Sequence, residues 1–148
     1  MASTYAALNY HLVFSSKDRA PFIEAGWKDR LHAYLGGIAK GLGGAPMSIG
    51  GVDDHVHMLL GLKPTHCISD VVRDIKKDSS SFVHNELGIR KFNWQEGYAV
   101  FSLSVDGIPA VRDYIASQAE HHRMVNSRDE LLELCKAAHI EPEMKYFV

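Results

Sequence analysis

Near the middle of the chain, Asp54 to Leu62 reads DHVHMLLGL, and no other stretch limits the fold as tightly. Successive side chains of extended backbone point to opposite faces, so Val56, Met58 and Leu60 share one face and His55, His57 and Leu59 the other. The strand therefore carries an apolar face and, behind it, two imidazoles. Their Cα atoms are separated by roughly 6.5 Å at strand spacing, close enough for both rings to converge on one cation. The chain has nine histidines, so the pair also admits a blander reading as two half-exposed rings on a polar sheet face.

The remaining elements are coarse but ordered. Strands are expected near Tyr5 to Phe14, Met47 to Val52 and Tyr98 to Leu103, in addition to the histidine strand. Helices are expected from about Glu24 to Lys40 and Ile68 to Leu87, with the Gly-rich GLGGAP after the first. This β-α-β-β-α-β order is that of a ferredoxin-like antiparallel sheet, an α+β fold, with further helices appended at the C-terminal end. Two crossover helices cover one face of such a sheet and leave the histidine face free.

A third helical pattern runs from Ile108 to Met124 (IPAVRDYIASQAEHHRM). Ile108, Val111, Ile115 and Ala119 form its core stripe, and Pro109 is tolerated in the first turn. Tyr114, Gln118 and His121 fall on a neighbouring face at i, i+4 and i+7, so a phenol and an amide are neighbours. By itself this fits a tyrosine at the edge of the core and a solvated glutamine. His121 and His122 can add to a metal site, but adjacent helical residues diverge by about 100°, which works against both reaching one ion. A short amphipathic helix, Asp129 to Ala138, precedes an acidic tail.

With 148 residues, 46% of them hydrophobic, the chain can build one domain with a real core. Residues 1–126 are read as the catalytic unit and 127–148 as a C-terminal helix and acidic tail of the same domain. No apolar run is long enough to span a bilayer, and a signal peptide is not evident. Cys67 and Cys135 stand apart, so reduced thiols in a cytoplasm are expected. The net charge of −2 argues against a phosphate-binding protein until its distribution is considered. Residues 127–148 hold five acids and three bases, and the rest of the chain is neutral, with 13 of each. Within that remainder Arg73, Lys76 and Lys77 cluster at helical spacing, with Arg90 and Lys91 beyond, and they form a candidate phosphate-facing patch. Asp70, Asp74 and Asp78, interleaved with them, equally fit an ordinary solvated helix face.

At this point the residues resemble a known family along nearly the whole chain. The segments YHLVFSSKDRAPFI (Tyr10 to Ile23), GGVDDHVHMLL (Gly50 to Leu60), VVRDIKKDSSSFVH (Val71 to His84), WQEGYAVFSLS (Trp94 to Ser104) and VRDYIASQAEHH (Val111 to His122) carry the likeness in order and spacing. The chain resembles the single-tyrosine transposases of the HUH endonuclease class, of the insertion-sequence 200/605 type, with REP-associated tyrosine transposases among the relatives. The resemblance implies that His55 and His57 are paired metal ligands, Gln118 the third, and Tyr114 the nucleophile. Tyr98 is the next candidate should the adduct not form on Tyr114. It also implies single-stranded DNA beside a hairpin as substrate, a 5′-phosphotyrosine intermediate and a released 3′ hydroxyl. Two imidazoles and an amide are neutral ligands that leave a divalent ion its full charge for phosphate, and Mg²⁺ or Mn²⁺ is expected. A homodimer that exchanges its tyrosine helices is a further expectation, with Asp106-Gly107 as the joint. Two other readings remain: a domesticated relative that nicks or binds hairpins, and a small metal-dependent hydrolase using His55, His57, His121 or His122.

Overall fold

The computed structural model describes residues 3–122 and 124–143, so the end of the expected acidic tail, beyond residue 143, lies outside the described residues. Four strands, β1 (Leu8–Ser15), β2 (Ala45–Gly51), β3 (His55–Leu62) and β4 (Ala99–Leu103), form one antiparallel sheet in the order β2-β3-β1-β4. Helix α1 (Ala25–Gly41) joins β1 to β2, and α2 (Ile68–Asn85) joins β3 to β4. This is the expected α+β, ferredoxin-like arrangement. Tyr5 is 94% exposed and lies before β1, which starts three residues later than its apolar pattern suggested. Strand β2 is an edge, and its register shifts between Pro46 and Ser48, where the missing proline N–H is least disruptive.

The alternation of β3 divides the molecule into layers. Val56, Met58 and Leu60 join Leu12 and Phe14 of β1 in the main core, against Trp27, Leu31, Leu35 and Ala39 of α1. Those α1 residues recur every four positions and make the stripe that a surface helix buries. Helix α2 completes the layer with Val71, Val72, Ile75, Phe82 and Val83. Burying each large side chain stabilises the fold by about 1.5–3 kcal/mol, so this face carries most of the hydrophobic stabilisation.

His55 and His57 point to the other face, which is covered by α3 (Ile108–Ala116), α4 (Gln118–His121) and α5 (Ser127–Ala137). Helix α3 lies against β2 and β3. The close approach requires Gly50, where a Cβ would sit 2.3 Å from the Ile115 carbonyl oxygen. The continuous helix expected from Ile108 to Met124 is broken at Ser117, whose φ and ψ are −103° and 24°. Its hydroxyl bonds back to the Asp113 carbonyl at 2.7 Å, a contact that competes with regular helix and bends it. The bend turns Gln118 inward, and it becomes 1% exposed.

Candidate active site

His55 and His57 are 2% and 0% exposed, and each is held by its own partner behind the site. Asp54 accepts from His55 Nδ1 at 2.7 Å and, through its other oxygen, from the Ser127 hydroxyl at 2.8 Å. Fixing the Nδ1 proton in this way leaves His55 Nε2 facing the site. Behind His57, His11 Nε2 lies 2.7 Å from His57 Nδ1, and the two rings stack at 5.0 Å. Register explains the contact: His11 pairs with Leu59, which makes it the diagonal neighbour of His57 across the β1–β3 ladder.

In front of the rings, α3, α4 with the turn after it, and α5 bring five polar side chains together. Gln118 Oε1 lies 3.2 Å from His55 Nε2 and 3.0 Å from His122 Nε2. Glu130, 1% exposed, sets Oε1 at 2.9 Å from His57 Nε2 and 3.2 Å from both His55 Nε2 and His122 Nε2. Its other oxygen accepts a short hydrogen bond from the Tyr114 hydroxyl. His121 Nε2 comes within 3.3 Å of that same oxygen without aligning to donate. Among the buried polar side chains of the described residues, only Ser16 and Ser79 stand outside this cluster.

The electrostatics follow from that enclosure. Burial pushes His55 down, but the hydrogen bonds to Asp54 and Glu130 outweigh it and raise its pKa to about 9. His57 is held below its ordinary value by burial, which here exceeds the pull of the same carboxylate. Burial acts to raise Glu130, yet hydrogen bonds from His55 and His57 hold it well below the usual carboxylate range. Burial and then the Glu130 carboxylate push the Tyr114 phenol up, so it stays protonated at rest. His11 is lowered to about 4 by burial and by the neighbouring His57.

The donor set fits a divalent metal. One ligand atom each from His55, His57, His122 and Glu130 lies within 4.8 Å of the others. A tetrahedral shell with bonds of about 2.0 Å has edges of about 3.3 Å, near the separations of Glu130 Oε1 from the three imidazoles. Gln118 can join the same shell through Oε1, whereas His121 is not part of that group.

Of the residues expected at the site, His55, His57, Gln118 and Tyr114 are brought together and the basic residues are not. Arg73, Lys76 and Lys77 lie on α2, which packs on the opposite face of the sheet. Arg73 pairs with Asp70 and Asp74 at 3.1 and 3.3 Å. Lys76 donates to the carbonyls of Gln95 and Gly97 at 2.6 and 2.7 Å, so it fastens α2 to the segment before β4. Lys77, Arg90 and Lys91 are exposed on that side. Tyr98, the reserve nucleophile, is 41% exposed and borders a cavity of about 470 Å³ that also reaches His55, Ser127 and Arg19.

Sequence reasoning missed Glu130, counting it only as one of the tail acids. Its helix was legible, since Asn126 caps α5 by accepting from the Asp129 N–H at 2.8 Å, but nothing local says where such a helix docks. The Ser127 to Asp54 bond supplies that docking point. Asp54 was visible only as the neighbour of the histidine pattern, and His11, 46 residues away from His57, carried no signal of its role.

A histidine pair on the open face of a ferredoxin-like sheet, beneath a tyrosine helix, defines the class of protein to which known chains can be compared. The family described as "Transposase IS200 like" matches residues 4–118. The chain belongs to this family of transposases and is an enzyme acting on DNA. It is 25% identical over 130 residues to the transposase for insertion sequence element IS200 of Salmonella typhimurium, covering 84% of this chain and 85% of that one. It is 29% identical over 117 residues to the ISDra2 transposase TnpA of Deinococcus radiodurans, covering 75% and 84%. Among solved structures, a protein of Deinococcus radiodurans R1 described as a candidate transposase superposes with a TM-score of 0.64 at 26% identity, over 80% of this chain and 95% of that one. The REP-associated tyrosine transposase bound to a REP hairpin shares the fold, with a TM-score of 0.62 at 15% identity over 84% and 74%.

Proposed function

We propose that this transposase cuts and rejoins single-stranded DNA beside a hairpin through a 5′-phosphotyrosine on Tyr114. The observation that carries the reading is the convergence, in one chain, of the Tyr114 hydroxyl, the Gln118 amide and the His55/His57 pair on a single buried point. His55, His57 and Gln118 would hold a divalent ion, with His122 and Glu130 as further donors. Mn²⁺ suits this mixture of imidazole and oxygen donors better than Mg²⁺. When bound, the ion supplies positive charge for a non-bridging phosphate oxygen and for the charge that builds up in the transition state. Asp54 and His11 orient the two imidazoles. The Tyr114 oxygen attacks phosphorus, the bond to the 3′ oxygen breaks, and the strand is left on the tyrosine with a free 3′ hydroxyl. The phosphotyrosine retains the energy of the broken diester, so a 3′ hydroxyl can reverse the step onto another strand.

The cavity beside His55 offers a path for the strand, with Tyr98 as a surface on which a base can stack. Arg73, Lys77, Arg90 and Lys91 are proposed as contacts for a duplex stem that wraps to the far face; Lys76 already donates to the carbonyls of Gln95 and Gly97. Exchange of the tyrosine helix within a homodimer is proposed with Asp106-Gly107, in the turn Val105–Gly107, as the joint; within one chain Tyr114 already stands beside the histidine pair. A cytoplasmic site of action fits the free thiols Cys67 and Cys135. Among the described residues no helix is long and apolar enough to cross a membrane.

The test is a hairpin oligonucleotide with a single-stranded flank, incubated with Mn²⁺ or Mg²⁺ and resolved on a denaturing gel. A covalent adduct lost in Tyr114→Phe and in excess EDTA is expected. Hairpin binding with no adduct in the unaltered protein would favour a domesticated binding factor, and an adduct surviving in Tyr114→Phe would move the nucleophile to Tyr98.

A further inference from the structure

Glu130 divides its two oxygens between the two halves of the site. Oε1 faces the three imidazole nitrogens at 2.9 to 3.2 Å, and Oε2 accepts the hydrogen bond of the Tyr114 hydroxyl. The carboxylate is 1% exposed, so no water competes for either oxygen from bulk solvent. Its placement is fixed from three directions. Asn126 caps its helix, Ser127 ties that helix to Asp54, and Asp54 in turn holds His55. At rest the carboxylate is held low and the phenol high, so the proton stays on Tyr114; as the phenolic oxygen bonds to phosphorus its proton turns strongly acidic, and Oε2, already hydrogen-bonded to it, is placed to receive it.

We propose that Glu130 is the proton acceptor for Tyr114, and that the same carboxylate reaches the metal through its other oxygen. The inference rests on Tyr114 as the nucleophile. As the Tyr114 oxygen bonds to phosphorus, its proton passes to Glu130 Oε2 and the bond from phosphorus to the 3′ oxygen breaks. The departing oxygen keeps that electron pair and takes a proton from water. Glu130 then releases the phenol's proton to solvent, so the step consumes no net proton. In rejoining, Glu130 first takes a proton back from solvent; the 3′ hydroxyl then gives its proton to water as its oxygen bonds to phosphorus, and the bond from phosphorus to the tyrosine oxygen breaks as that oxygen takes the proton from Glu130. One group therefore serves both directions, and its loss must slow cleavage and rejoining by the same factor.

A carboxylate in this position has two competing roles, and they predict different outcomes. As a mere metal ligand, its removal is offset by more metal. As a plug that keeps the histidines and the tyrosine occupied until DNA arrives, its removal speeds the reaction. Glu130→Gln is nearly isosteric and still accepts a hydrogen bond, but it cannot hold a proton. Loss of a positioned general base lowers a rate by roughly 10²–10⁴-fold.

The experiment first shows that the adduct of the unaltered protein disappears in Tyr114→Phe, which establishes the nucleophile independently. Single-turnover cleavage and rejoining by Glu130→Gln are then measured on a hairpin oligonucleotide across a Mn²⁺ titration, with Mn²⁺ binding read by electron paramagnetic resonance and folding by thermal unfolding. The expected result is a loss of about 10²-fold or more in both rates at saturating Mn²⁺, with the ratio of cleaved to joined strand unchanged. Incorporation of a difluorotyrosine at position 114, whose phenol loses its proton more readily, should shrink the gap between Glu and Gln at position 130. Recovery of the rate at high Mn²⁺, a rate faster than the unaltered protein's, or a gap indifferent to the fluorinated tyrosine would each overturn the proposal. If Glu130→Gln fails to fold, Glu130→Asp, which keeps the basic oxygen on a shorter arm, replaces it in the fluorotyrosine comparison with the same expected direction.

Discussion

The two faces of the sheet are both buried at β3 and are built on opposite principles. From a single strand, Val56, Met58 and Leu60 enter a core made of apolar contacts, while His55 and His57 enter a cluster of mutually hydrogen-bonded polar groups. Apolar contacts are many and individually weak, so that face tolerates the loss of any one at a cost in stability alone. The polar face has few contacts, each directional, and unsatisfied partners are expensive when buried. Stability is thus concentrated on one side of β3 and chemistry on the other.

The comparison breaks most sharply at Tyr114. Tyr114→Phe should abolish the covalent adduct on denaturing gels and leave the thermal midpoint within a few degrees, because the ring stays packed and only the bond to Glu130 is lost. Gly50→Ala, by contrast, puts a methyl 2.3 Å from a backbone oxygen of α3, which has to shift. A displacement of about 1 Å is enough to lower the cleavage rate by roughly 10²-fold, measured at saturating DNA and metal. On the apolar face the effect should be of the other kind. Leu31→Ala should cost about 2–5 kcal/mol in denaturant unfolding while the surviving folded protein keeps its metal affinity.

Smaller changes sharpen the contrast. His11→Phe and Asp54→Asn remove the partners behind the imidazoles and should each lower Mn²⁺ affinity by roughly 10–100-fold, read by calorimetry. The pH dependence of stability has a definite sign as well. The His55 pKa in the folded protein, about 9, lies above its unfolded value. Its contribution is therefore full below about pH 6.5 and lost as pH rises through 9. Thermal midpoints in chelator should fall over that window, and His55→Gln should flatten the fall. The smallest effect is expected at Lys77→Ala, which should reduce the salt slope of hairpin binding by about one unit. Lys76→Ala should show itself instead as a loss of stability, because its bonds to Gln95 and Gly97 are internal.

The sequence by itself determined the order of elements, the sheet class and the two faces of β3, because hydrophobic alternation and helical stripes are local patterns with fixed periods. It also brought His55, His57, Tyr114 and Gln118 into view: spacing along one strand or one stretch of helix paired them, and the resemblance to a known family supplied their roles. Tertiary structure decided the rest. Whether Lys76 faces phosphate or a carbonyl depends on where the segment before β4 returns, 19 residues further along the chain. Glu130 reaches His57 across 73 residues and His11 reaches it across 46, distances over which no periodicity carries information. The break at Ser117, whose hydroxyl bonds back to the Asp113 carbonyl, falls in a stretch whose apolar stripe runs on without interruption. Local patterns fix which face a side chain takes, and only the packing of distant elements fixes what it meets there.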